Sequence, residues 1–449
     1  MHSPIQSNQP GNSKPSRPII AIDPRPCNPP ATAPNRGWRA GLLMLAPHRL
    51  SFFLAMWMLM ISSIWWAAEQ WGRMFSSAAL SHAMPPMVVH SVLMCFGFLP
   101  LFFAGFLFTA GPKWLQVEPP ETVAIRLPLM VQAGGWCLWL AGGLFSPQLA
   151  LGGGAVAGLG LLWMSSQFWR LVWRSRALEQ IHARAIAVAY LLGCVIMFAI
   201  LWTLADSQYG VARAWVFTGL WGFIGVVYVV VAHRMIPFFT SSALPMLDVW
   251  RPYWVLWLLL GAMALKVLEV WAALLPLPQE WNAAWMALSG ALEWATGSML
   301  AWLAYRWGLI QSLKNRLLAM LHIGFAWIAV AFLLSGTARC ASLLTDTSAW
   351  EMAALHAFTM GALGSLLLAM VTRVSCGHSG RLLHADRLVW ALFCMLQMAA
   401  WMRIASTVGG GAGTWLLAVA ALLWALVASI WGMRLCSWYG KPRADGRPG

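Results

Sequence analysis

The sequence predicts an all-α integral membrane protein: one bundle of about twelve transmembrane helices, with both termini in the cytoplasm. Three observations carry this. Of 449 residues, 60% are hydrophobic and only 10% are charged, whereas a soluble domain carries about 25% charged residues. Apolar runs recur from Leu50 to Met433, each near the roughly 20 residues that span a bilayer. The basic residues fall on alternate sides of those runs. With the N-terminus cytoplasmic, 24 of the 29 Lys and Arg lie in the N-terminal tail, the even-to-odd loops and the C-terminal tail. Arg73, Arg213, Arg339 and Arg403 lie on the other side, and Lys266 lies within a span. That asymmetry is the positive-inside rule. The formal charge of +15 therefore sets topology, and nucleic acid is not a partner; the bilayer is.

In chain order, residues 1–40 read as a Pro-, Ser- and Asn-rich cytoplasmic tail without a signal peptide. The transmembrane domain follows over 41–435, with spans near 50–68, 87–110, 127–145, 148–168, 184–205, 213–233, 252–275, 282–305, 317–338, 350–373, 387–406 and 412–433. The third and fourth are close enough to be read alternatively as one hairpin. Residues 436–449 form a basic cytoplasmic tail. The eight cysteines are scattered singly, with no C-x-x-C or C-x-x-C-H, so neither a zinc knuckle nor covalent c-type haem attachment is indicated.

Four histidines sit inside apolar segments: His90, His233, His322 and His356. A titratable side chain in a bilayer is costly and usually functional, and imidazole ligates haem iron and copper. His90 is followed by Met94, and His356 by Met360; residues four apart on a helix share a face. The topology puts His90 and His356 near the periplasmic side at similar depth. His233 and His322 lie near the cytoplasmic side, with His378 in the loop just beyond the tenth span. His2, His48, His82, His182 and His384 lie in tails or interfacial loops and read as structural, with His82 able to supplement the periplasmic pair. Lys266 and Glu269, three apart, predict a local ion pair. Glu293 has no neutralising neighbour in sequence, which makes it a proton-linked or ligating carboxylate or the partner of a cation on another helix.

Several stretches carry more pattern than hydrophobicity requires. One runs from His90 to Trp114 and contains Gly97, Pro100 and Gly105; others are Ala232–Thr240, Leu321–Trp327, Leu355–Gly364 and Met370–Arg381. They resemble the NnrS family in the phrases "FGF…AGFL.TA.P.W", "R.IP.FT", "LH.G.AW" and "LHA.T.GA.G…V.TR…GH.GR". Many members carry His-x-His-Glu where this chain has His90, Ser91, Val92 and Leu93, so only the first histidine of that motif is kept.

The resemblance implies a polytopic bacterial inner-membrane protein containing haem and copper, associated with denitrification and the response to nitric oxide. On that footing the expected cofactors are non-covalent haem b and, in addition, copper. His90 and His356 are the expected haem ligands, with Arg373 and Arg381 available to haem propionates. Met94 and Met360 offer soft donors to Cu(I). His233, His322 and His378 offer a three-nitrogen copper site or ligands to a second haem, and exchanging the two metals between levels contradicts no residue. Nitric oxide is the expected ligand; sensing, scavenging and catalysis all stay open, and no electron donor is named by the sequence. A secondary transporter with intramembrane His and Glu sites is the alternative from another class. A haem–copper reductase is less compatible, because the chain lacks an adjacent His-His pair.

Overall fold

The computed structural model describes residues 37–75, 81–344 and 349–446; of the tail expected over 1–40, residues 1–36 lie outside them. The described chain is helical, and eleven of its helices are long and apolar enough to cross a membrane. These are α1 (Pro47–Met74), α2 (Pro86–Leu115), α3 (Thr122–Phe145), α4 (Pro147–Arg174), α5 (Ile181–Ala205), α6 (Tyr209–Ala243) and α7 (Tyr253–Ala272), then α9 (Arg316–Leu344), α10 (Trp350–His378), α11 (Arg387–Ala405) and α12 (Gly410–Tyr439). At the place of the eighth expected span stands an equally long helix, α8 (Gln279–Arg306). It is less apolar because it carries Glu280, Asn282 and Glu293.

The third and fourth spans are separate helices that turn at Pro147 and pack on each other along their length. The glycines make this approach possible. A Cβ on Gly142 would lie 2.1 Å from the Ala150 nitrogen, and one on Gly153 would lie 2.5 Å from the Trp139 nitrogen. Small residues at such a seam let backbones meet in lipid. Outward faces carry large apolar side chains such as Trp57, Leu127, Phe145, Leu159, Trp202 and Trp257, as a lipid-facing surface requires.

The first and last long helices, α1 and α12, lie side by side. The short turn Ala40–Leu45 that leads into α1 is tied to the end of α12. The Arg39 amide donates to the Gly440 carbonyl (2.7 Å) and the Trp38 indole to the Cys436 carbonyl (3.0 Å). Arg49, only 3% exposed, donates through Nη1 to the carbonyls of Leu42, Tyr439 and Lys441 at 3.4, 3.3 and 3.1 Å. α12 thus runs four residues past the expected domain end at 435. We expect Arg49→Ala to lower the stability of the detergent-purified protein by about 3 kcal/mol, because hydrogen bonds from a charged donor are worth about 1.5–3 kcal/mol and their loss orphans buried carbonyls. A thermal-unfolding midpoint unchanged from wild type would refute this account of the clasp.

Three helices widen into π-turns in mid-bundle: Leu93–Gly97 in α2, Leu220–Gly225 in α6 and Ala357–Gly364 in α10. Such turns shift the hydrogen-bond ladder by one residue and concentrate at functional sites. One begins three residues after His90 and another directly after His356. Pro100 sits in the first turn of the helix that resumes after the Leu93–Gly97 widening, so its missing donor is absorbed at a break in the ladder.

Candidate cofactor-binding site

His90 on α2 and His356 on α10 come together at the outer end of the bundle, the end where α1 finishes and α2 begins. Each is within electrostatic range of Arg403, and His90 also of His356 and Arg73. The His90 ring stacks on Trp66 with centroids 3.7 Å apart and planes 19° apart, and its Nδ1 is buried without a partner. His356 Nδ1 lies 2.9 Å from the Met352 carbonyl. A carbonyl only accepts, so Nδ1 carries the proton and Nε2 keeps the lone pair. This orientation by a carbonyl is the usual support for a metal-ligating imidazole.

Met94 and Met360 both fall inside the π-turns that follow their histidines and are half-buried against the core. Glu69, 5% exposed, holds His82 Nε2 at 2.7 Å and Arg73 Nε at 2.8 Å, so His82 is engaged by a carboxylate beside the pair. Val92 and Leu93, at the places of the missing second His and Glu, are fully buried apolar residues and add no donor. The donor types are those that a haem uses. The set provides two imidazoles from different helices, an aromatic wall and guanidinium groups for carboxylates. The thioethers suit Cu(I).

The inner histidines are dispersed differently from the expected three-nitrogen site. His233 Nδ1 meets His182 Nε2 at 2.9 Å, and His233 Nε2 faces the Pro252 carbonyl at 3.2 Å. His182 Nδ1 in turn meets Glu179 Oε1 at 2.7 Å, and Arg234 also pairs with Glu179. Partial burial raises the Glu179 carboxyl, but these two donors outweigh it and hold the group below its ordinary range. His322 Nε2 meets Thr240 Oγ1 at 2.8 Å. His378 instead faces His48 of α1, with ring centroids 4.5 Å apart. Among the described residues no three His, Cys, Asp or Glu side chains converge as a metal cluster. Arg373 lies over the Phe239 ring at 4.0 Å and Arg381 over Trp438 at 4.3 Å; both are at the inner end, away from His90 and His356.

Glu293 finds the partners on other helices that the sequence left open. Lys266 Nζ reaches Glu269 and Glu293 at 2.6 Å each and Ser335 Oγ at 2.9 Å. Arg339 of α9 reaches Glu269 at 2.9 Å and Glu293 at 3.5 Å. Two acids and two bases balance inside the bundle. Lys266, Glu269, Ser335 and Arg339 border a cavity of about 400 Å³ between the outer ends of α6, α7, α8, α9 and α10.

Trp66, Glu69 and Arg339 escaped sequence reasoning because their roles depend on contacts between helices. His48 and His182 were legible only as polar residues near span ends; the acid three residues before His182 was the one available signal. Against known families, the model described as NnrS protein matches residues 42–443. No curated protein matches the chain.

Proposed function

Taking as premise that this chain belongs to the NnrS family, we propose that it is a haem b-binding protein of the bacterial inner membrane that also takes copper and serves in the nitric oxide response associated with denitrification. The convergence of His90 and His356 from two helices carries this reading, with one imidazole fixed by Met352 and the other stacked on Trp66. His90 and His356 would hold the haem, Arg403 and Arg73 would meet its carboxylates, and Met94 and Met360 would complete a Cu(I) site. When bound, haem iron and Cu(I) supply the affinity for nitric oxide. The chain's own contribution is to orient the imidazoles, wall the site with Trp66 and keep charge balanced through the Glu69–His82–Arg73 group.

The reduced-minus-oxidised visible spectrum of the purified protein tests this. Wild type should show sharp b-type bands, and His356→Ala should lose them while eluting as a monodisperse species. A colourless wild type from a haem-replete, folded preparation would sink the haem proposal. The outer cavity with its Lys266–Glu269–Ser335–Arg339 lining favours one second reading, a secondary transporter of small polar solutes. That protein would purify colourless and lose flux on Glu269→Gln.

A further inference from the structure

We propose that the interior apolar cavity bordered by α2, α6 and α10 holds a single molecule of a small apolar gas; it is nitric oxide on the function proposed above, on which this inference rests. The cavity has a volume of about 60 Å³. α2 gives it Phe102 and Phe106, α6 gives Tyr228 and Val231, and α10 gives Leu366 and Met370. Each pair is three or four residues apart and so lies on one helix face. Phe52 of α1 and Leu321 of α9 also border the space.

The three helices named first are those that widen into π-turns, and in each the cavity face follows the turn. Leu93–Gly97 precedes Phe102, Leu220–Gly225 precedes Tyr228, and Ala357–Gly364 precedes Leu366. At about 3.6 residues per turn, one added residue rotates everything after it by about 100°. The widenings therefore decide which side chains meet at the cavity, and an accidental packing void has no reason to collect all three. α2 and α10 also carry His90 and His356, on the outer side of the same turns. His356 and Leu366 are ten residues apart, about 15 Å along the helix. The cavity thus lies inward of the candidate haem site and shares two of its helices.

The walls select the occupant. Water needs about two to four polar partners to stay in a cavity. Among the described residues that border this one, the single polar group is the Tyr228 hydroxyl, buried without a hydrogen-bond partner, and none is charged. Water and ions are therefore disfavoured. An apolar cavity of about 150 Å³ takes benzene or xenon. At about 60 Å³ a ring is too large, whereas a xenon atom or a diatomic molecule fits.

The test is xenon NMR of the full-length protein in detergent, with xenon as the probe. Wild type should bind xenon saturably, above its partitioning into empty micelles. Ala232 borders the cavity and is 5% exposed, so Ala232→Val puts two methyl groups into the space and should weaken binding about tenfold. Leu367→Ala enlarges the space and should keep the binding, which separates filling of the cavity from damage to the fold. Photolysis of the haem–nitric oxide complex then identifies the natural occupant: xenon and Ala232→Val should each reduce the slow phase of rebinding from within the protein. A coloured wild type that binds no xenon overturns this inference and leaves the haem reading intact. Xenon binding equal in Ala232→Val overturns it as well, and so does a rebinding course that neither xenon nor Ala232→Val alters. A colourless protein removes the haem reading, and nitric oxide as occupant with it, whatever xenon does.

Discussion

Glu293→Ala should destabilise the purified protein by on the order of 3–5 kcal/mol, the cost of leaving a buried charge without its partner. Glu293 is completely buried and shares Lys266 with Glu269. Its Oε1 also accepts from Ser335 at 2.6 Å. Removing it leaves Lys266 and Arg339 facing Glu269 alone, so the interior of the bundle gains a net positive charge. Glu293→Gln keeps the shape and a hydrogen bond to Ser335, so its loss should be smaller. Lys266→Met with Glu293→Met removes one charge of each sign, and should recover much of the loss, because an apolar pair of similar volume replaces a buried ion pair at little cost. Thermal-unfolding midpoints in detergent decide it. If the double substitution is as unstable as Glu293→Ala, charge balance is not what the cluster provides.

This cluster shows where the sequence stopped being informative. Lys266 and Glu269 were readable as a pair because three residues on one helix set their distance. Arg339 was readable only as an arginine near the outer side, because its approach to Glu293 depends on how α8 packs on α9. The same division holds elsewhere. The helices, their order and the shared outer level of His90 and His356 follow from apolar run length and basic-residue alternation, both local properties. The pairing of His378 with His48 instead of His233 and His322 is a property of helix azimuth, which a run of apolar residues does not encode. α8 is the marginal case, since its charged residues lower its apolarity while packing buries the face that carries Glu293. The π-turns were also out of reach, because the glycines at 97, 361 and 364 read equally well as close-packing positions on an ordinary helix.

Gly142→Ala should lower stability by about 3 kcal/mol, while Gly134→Ala on the same helix should raise it by up to about 1 kcal/mol. The two substitutions are chemically identical and differ only in what the new methyl meets. At Gly142 it would lie 2.1 Å from the Ala150 nitrogen and 2.5 Å from its Cα, backbone that moves only if α3 and α4 separate. At Gly134 nothing lies within 4 Å, so only the helix propensity gained over glycine is felt. The hairpin also supports the outer histidine. The amides of Ala83 and Met84 donate to the Gly143 carbonyl at 3.0 and 3.2 Å, and a Cβ on Gly143 would lie 2.8 Å from Val89, the residue before His90. Displacing α3 therefore displaces the start of α2 and the ring stacked on Trp66. On the proposed function, Gly142→Ala should weaken haem retention during purification as well as lower the unfolding midpoint, and Gly134→Ala should change neither adversely. A Gly142→Ala protein with full haem content and a wild-type midpoint would mean the α3–α4 seam does not set the position of His90.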